Sequence, residues 1–325
     1  MLTEIARAIA VRKARSFILE RFSEAALRPS LLDADKSGHT RSEADRLASP
    51  LPALSPRGLY WAATRAGLRA GGWLSKGLAL GRQTGFDSGS TLDYVYANRA
   101  EGRTWLGRVL DRLYLDSIGW KGIRRRKVHV EELLKDAMAR TREAGAGVSI
   151  LDIAAGHGRY VLDAVQGSEV QPDSIRLRDY DDRNVAAGSR LIEERGLESI
   201  ACFVKGDAFD GDDLARSNPR PTIGIVSGLY ELFADNKAVR ASLDGLARAI
   251  PEGGYLVYTC QPWHPQIELI ARALTSHRRG EAWVMRRRSQ AEMDQLVAAA
   301  GFTKIDQRID DWGIFTVALA RREAV

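Results

Sequence analysis

Residues 148–165 read Val148-Ser149-Ile150-Leu151-Asp152-Ile153-Ala154-Ala155-Gly156-His157-Gly158-Arg159-Tyr160-Val161-Leu162-Asp163-Ala164-Val165. A short apolar run gives way to small residues, then to apolar residues at helical spacing. This pattern predicts a buried strand, a tight glycine-containing turn and a helix. Small residues in such a turn let a ligand approach the backbone, and the helix N-terminus offers N–H groups to it. In an open α/β sheet, ligands bind beyond the carboxyl ends of strands, where this turn would sit.

The same texture continues downstream. SIRLRDY (174–180), IACFVKGD (200–207), TIGIVSG (222–228) and YLVYTC (255–260) are further predicted strands. Predicted helices lie between them: one ending at Arg195, one near 235–249 and one over roughly 265–278. Ser289 and Glu292 have the spacing of a capping box for a helix running to Ala300, which Gly301 ends. TKIDQRI and GIFTVALA then pair as a hairpin around Asp310–Gly313. Alternating β and α units predict an α/β fold with a doubly wound parallel sheet, to which the hairpin adds one antiparallel strand.

Upstream, the pattern is helical. Residues 1–30 read as an amphipathic helix. Residues 31–56 are polar, carry Pro50, Pro52 and Pro56, and read as a linker with room for a short helix. Residues 58–81 suit a helix pair under a core or a helix on a membrane surface. Residues 86–100 read as an Asp/Ser/Gly turn followed by Tyr94, Tyr96 and Asn98. Residues 101–145 are helical in pattern, with an interruption at GWKGIRRRK (119–127). The expected division is a helical N-terminal extension and cap over 1–145 and a sheet domain over 146–325.

The chain has 325 residues, 45% hydrophobic and 28% charged, enough for about two domain equivalents and too apolar for wholesale disorder. Cys202 and Cys260, its two cysteines, both fall in apolar strand-like runs, which suits a reducing compartment such as the cytoplasm. With no Cys/His cluster, no structural zinc is expected. Asp33-Ala-Asp35-Lys-Ser37-Gly38 opens like a calcium loop, but Ala44 stands where the bidentate Glu belongs, so no metal is expected there either. No run of about 18 uncharged apolar residues occurs, and the N-terminus lacks a signal-peptide apolar core, so neither a membrane span nor a leader is expected. The net charge of +6 is uneven: 26 basic and 16 acidic residues over 1–150 give +10, and 22 and 26 over 151–325 give −4. The basic half suits a solvated surface, nucleic acid, acidic lipid or an anionic substrate.

Two readings of the turn compete. A dinucleotide loop, G-x-G-x-x-G, would need a third glycine where Val161 stands. A loop of the form D-x-small-x-G-x-G fits Asp152 to Gly158, with Ala154 in place of a first glycine. Its companions follow in order. Asp179 ends the second strand, Asp207 follows Gly206 at the end of the third, and Ser227-Gly228-Leu229-Tyr230 follows the fourth. Pro251-Glu-Gly-Gly254 precedes the fifth strand, and Ala300-Gly301-Phe302 precedes the hairpin. Taken singly, Asp152, Asp179 and Asp207 would each serve as a turn or cap residue. In this joint register the chain resembles class I S-adenosylmethionine-dependent methyltransferases.

That resemblance implies a seven-stranded Rossmann-like sheet with its last strand antiparallel, and S-adenosylmethionine as cofactor. It assigns Asp152, Ala154, Gly156, Gly158, Asp179, Tyr180, Asp207, Ala208 and Ser227 to cofactor binding. Asp179 would take the ribose hydroxyls and Asp207 the adenine amino group. GFDSGSTLDYVYANRAEG (85–102), GWKGIRRRK and LDIAAGHGRYVLDAV look more closely like a bacterial methyltransferase family found alone or fused to an α/β-hydrolase domain. The likeness runs from about residue 80 to the C-terminus. The family's context leans towards phospholipid or head-group metabolism. No G-x-S-x-G occurs, so a hydrolase is expected as a separate partner protein if at all.

Candidate catalytic groups follow strands four and five: Tyr230, Glu231 and His264. His264 is suited to general-base work near neutral pH, or equally to capping the next helix. Tyr94, Tyr96, Asn98 and Trp263 are candidates for substrate contact, with packing as the alternative for the first three. Strand four ends in S-G-L-Y and lacks the [N/D]-P-P-[Y/F] of exocyclic-amine methylases, which disfavours a nucleic-acid substrate. The expected function is methyl transfer to a small molecule or lipid head group in the cytoplasm, with peripheral membrane contact through the basic half left open. A non-catalytic cofactor- or membrane-binding member, a nucleic-acid methyltransferase and a nicotinamide-dependent oxidoreductase are the alternatives.

Overall fold

The structure, a computed structural model, describes residues 41–278 and 283–323. The amphipathic helix expected at 1–30 and the calcium-like loop's opening residues lie outside that range. The chain divides into two compact units. Among the described residues, one holds Arg125–Trp263 and the segment from Arg287 onward; the other holds those up to Arg124 together with His264–Arg286. This interleaved division differs from the linear one expected at 145/146.

A helix over Ile118–Glu143 accounts for part of the difference. Val130, Leu133, Leu134, Ala137 and Met138 recur at helical spacing and are all buried. The expected break at GWKGIRRRK does not occur; the stretch lies inside this 26-residue helix. Trp120, Ile123 and Arg126 are buried from it, and a Cβ on Gly119 would stand 3.0 Å from His264 Nε2. Such packing outweighs the roughly 1 kcal/mol that each glycine costs a helix.

The first unit is built on a seven-stranded sheet: β1 Ser149–Asp152, β2 Ser174–Asp179, β3 Ala201–Lys205, β4 Ile223–Val226, β5 Tyr255–Cys260, β6 Phe302–Ile309 and β7 Thr316–Arg322. The spatial order is β3-β2-β1-β4-β5-β7-β6. Strands β1 to β5 pair in parallel, with Ile150 opposite Ile175 on one side and Ile223 on the other. Strand β7 is antiparallel to both β5 and β6. Every residue of β4 and β5 is buried, as the unbroken apolar runs IGIV and YLVYTC require of central strands.

Flanking helices complete the layers. Asp182–Glu194 packs on β2 and β3, and Gln290–Ala299 packs on β6 and beside Asn236–Ala249. Ser289 Oγ accepts the Glu292 N–H at 3.1 Å, the serine half of the expected capping box, and the Glu292 carboxylate accepts the Asn236 amide at 2.9 Å. The hairpin turn is tied by the buried Asp310 carboxylate, which accepts N–H groups from Trp312, Ile314 and Phe315 at 2.8, 3.1 and 2.6 Å.

The second unit is helical: Arg41–Ala48, Pro56–Gly71, Lys76–Thr84, Gly89–Ala97, Trp105–Leu115 and Ile267–Ala273. The turn expected before Tyr94 is present at residues 86–88, and from it a helix follows, capped by Ser88 and ended by Asn98 at φ 51°. Buried Tyr94 and Val95 outweigh its weak helix propensity. The helix expected over 265–278 stops at Ala273. One buried carboxylate organises the unit. Asp111 accepts from Gly77 N–H at 2.9 Å, Glu101 N–H at 2.9 Å, Ser75 Oγ–H and Tyr94 Oη–H.

Candidate functional site

Parallel strands place the carboxyl ends of β1, β2, β3 and β4 along one edge of the sheet. The chain leaves β1 towards β2 and returns on the other side as β4, so β1/β4 is the topological switch point. The turn after β1 bends there through Gly156 at φ 61° and Gly158 at φ 74°, a backbone region that favours glycine. A Cβ on Gly158 would also meet Leu177 Cδ1 at 2.3 Å. Gly158 caps the helix Arg159–Gln166 without a side chain, leaving the approach to its N-terminus unobstructed by a capping group.

The turn is laced to the end of β2. Ala155 N–H donates to Arg178 O at 2.8 Å, and Gly156 N–H donates to Asp179 Oδ2 at 2.9 Å. Asp179 Oδ1 also accepts Asp181 N–H at 2.9 Å and the Asn184 amide at 3.0 Å. Burial raises the Asp179 carboxyl above the usual range, opposed by these three donors. An ionised carboxylate has about four acceptor sites, so acceptor capacity remains for a ligand hydroxyl.

Asp152 differs. It is fully buried; Oδ1 accepts Ala154 N–H at 3.1 Å and Oδ2 accepts Tyr160 Oη–H at 2.5 Å. Burial pushes its pKa up to about 7 against both hydrogen bonds. Asp152 therefore braces the turn from behind. Gly206 N–H donates to Asp179 O at 3.0 Å, which brings the end of β3 alongside. There Asp207 is exposed, its Oδ1 accepting Phe209 N–H at 2.9 Å, and Ala208 is buried. The Tyr180 side chain is 74% exposed, with Lys205 Nζ 6.0 Å from its ring centre. Ser227 is buried, Ala154 is half-buried, and Gly228 N–H donates to Thr259 Oγ1 at 2.9 Å. Two carboxylates, an exposed aromatic ring and glycine turns at one strand edge fit a nucleoside with a ribose diol, as S-adenosylmethionine has. Among the described residues no group of three His, Cys, Asp or Glu could hold a metal ion.

The proposed catalytic trio is placed differently from expectation. Tyr230 is a core residue: its ring joins the cluster of Leu243, Leu246 and Met293, and its Oη lies 2.9 Å from Ser242 Oγ. Burial raises its phenol well above the ordinary value. Glu231 is buried and paired with Arg126 at 3.2 Å. His264, in the helical unit, is buried and accepts Gln266 N–H on Nδ1 at 3.0 Å. The neutral ring then carries its proton on Nε2, so the imidazole serves as the turn-capping group before Ile267–Ala273. Tyr94 is buried against Asp111, Tyr96 is half-buried on the same helix, and Asn98 Oδ1 accepts from Arg112 at 2.6 Å. Trp263 is half-buried after β5.

Two arginines hold this edge, a role that the sequence reading assigned to neither. Arg126 presses its guanidinium on Gly228, where a Cβ would stand 2.7 Å from Nη2, and lies 4.8 Å from the Phe315 ring centre. Arg288 donates to Asn236 Oδ1 at 2.7 Å, Tyr230 O at 2.5 Å and Phe233 O at 2.9 Å. Both clamp the loop after β4. Each belongs to a basic run whose local pattern is that of a solvated surface, so the sequence carries no sign of their burial.

The chain is 50% identical over 325 residues to the Escherichia coli (strain K12) protein named "Uncharacterized protein YnbC", which covers 99% of this chain and 55% of that one. The chain thus spans about half the length of the curated relative it matches. In fold, it is similar to a possible exported protein from Bordetella parapertussis, with a TM-score of 0.56, 18% identity, and coverage of 84% of this chain and 100% of that one. A family model described as "Putative methyltransferase" matches residues 14–322, and the chain belongs to that family.

Proposed function

We propose that the protein transfers a methyl group from S-adenosylmethionine to a small molecule or a lipid head group. The observation that supports this most is Asp179: a carboxylate at the end of β2, tied to the Gly156 amide of the turn after β1 and retaining acceptor capacity there. S-adenosylmethionine, when bound, supplies an electrophilic methyl group. Asp179 would hold the ribose hydroxyls, the Gly156–Gly158 backbone would admit the cofactor closely, and Asp207 would accept from the adenine amino group. Tyr180 offers an aromatic surface beside them. The loop from Ser227, held by Arg126 and Arg288, would serve as the floor that orients the acceptor toward the cofactor. Trp263, half-buried after β5, would contact the acceptor. Tyr230 and Glu231 act through the position of that floor.

The test supplies radiolabelled S-adenosylmethionine and the protein to a cell extract, with Asp179→Ala as control, then separates organic, aqueous and macromolecular fractions. Label in the organic or aqueous small-molecule fraction above control supports the proposal and separates lipid from metabolite. Label in RNA overturns the substrate class. No label above control, with no cofactor binding by calorimetry, overturns the activity.

A further inference from the structure

The helix Trp105–Leu115 has two contrasting faces. Gly107, Asp111 and Leu115 are buried. The other face presents Trp105, 72% exposed, with Leu106, Val109 and Leu113, the last 66% exposed. Four large apolar side chains over three successive helical turns form an apolar surface that is exposed among the described residues. Trp73, 77% exposed, belongs to the same unit. Leu74 O accepts Arg103 N–H at 3.1 Å, and a Cβ on Gly107 would stand 2.4 Å from that same carbonyl. Trp73 is therefore held beside the first turns of the helix.

The charges around this face that lack an ion pair among the described residues have one sign. Arg99, Arg103 and Arg108 are exposed and have no ion pair among the described residues. The nearby carboxylates are all committed: Asp111 is buried in its hydrogen-bond network, Asp116 pairs with Arg112 at 3.1 Å, and Glu101 pairs with Lys76.

We propose that this face docks on the surface of an anionic phospholipid bilayer. Tryptophan rings sit at the head-group level, leucine and valine side chains enter the acyl boundary, and unpaired arginines meet lipid phosphates. Charge complementarity selects a negative surface: the rim offers uncommitted cations and no uncommitted carboxylate. The inference concerns the helical unit alone and stands apart from the identity of the methyl acceptor.

Sedimentation of the full chain with vesicles tests it. The protein pellets with phosphatidylglycerol-containing vesicles, less with pure phosphatidylcholine, and less again as salt rises. The triple variant W73S/W105S/L113S lowers the apparent affinity by about tenfold or more, and R103E/R108E abolishes the preference for anionic vesicles. These side chains are exposed, so thermal unfolding and cofactor binding stay as in the wild type. Absence of pelleting with anionic vesicles overturns the proposal, as does pelleting that these variants leave unchanged. A wild-type dimer that ignores vesicles and falls apart in the triple variant overturns it in favour of a second copy as the occupant.

Discussion

Arg126 Nη1 lies 3.2 Å from Glu231 Oε1, and both side chains are buried. The pair joins the long helix Ile118–Glu143 to the loop that leaves β4. Because the same guanidinium fills the space beside Gly228, the height of that loop depends on the pair. Removing one member strands a charge in a dry environment, a loss of about 3–5 kcal/mol. Glu231→Gln and Arg126→Met should each unfold at markedly lower denaturant, and the double variant should lose less than the two losses summed. Chemical denaturation gives the cycle; strict additivity would show that the pair is not coupled.

Asp152 makes stability depend on pH. Unfolded, its carboxyl ionises near 3.8; folded, near 7. As pH rises between these values the unfolded state gives up the proton first. Stability from the protonated form is then lost, on the order of 1.4 kcal/mol per pH unit, and levels off above about 7. Asp152→Asn keeps acceptor and donor positions for Ala154 and Tyr160 without the ionisation. The stability difference between wild type and this variant should therefore shift against the wild type from about pH 4 to 7. Parallel curves in urea titrations would contradict the folded value.

Asp179→Ala should weaken S-adenosylmethionine binding by roughly 1.5–3 kcal/mol, the scale of hydrogen bonds to a charged group. It also frees the Gly156, Asp181 and Asn184 donors, so unfolding should shift to lower temperature as well. Isothermal calorimetry on folded protein separates the two effects. Unchanged affinity would remove Asp179 from the cofactor site.

Tyr230→Phe distinguishes a core role from a catalytic one. It deletes the hydroxyl bonded to Ser242, a loss of about 1 kcal/mol in stability. Turnover should stay within a few-fold of wild type once the acceptor is known. A collapse of kcat with intact folding would restore Tyr230 as a reacting group.

The strands and the turn after β1 were legible because their signals are local. A β-branched run bounded by Gly and Asp reads as a strand wherever it lies, and YLVYTC matches β5 residue for residue. The glycines at 156 and 158 announced a left-handed turn in their own residue type. The stretch through GWKGIRRRK, read as an interruption, has local preferences that disagree with its tertiary setting.

By itself, then, the sequence determined the seven strands, the turn chemistry of the switch point and the acids at the strand ends, since these depend on spacing along the chain. The tertiary structure alone decided which polar groups are available. Asp152 and Asp179 are both acids at strand ends, yet one is sealed behind its turn and the other retains room for a ligand. Arg126 looks like its neighbours in a basic run, yet it is the buried partner of Glu231. Tyr230 and His264 have the residue types of catalysis, yet one packs and the other caps. Burial and hydrogen-bond partnership are properties of neighbours distant in sequence. No local pattern encodes them.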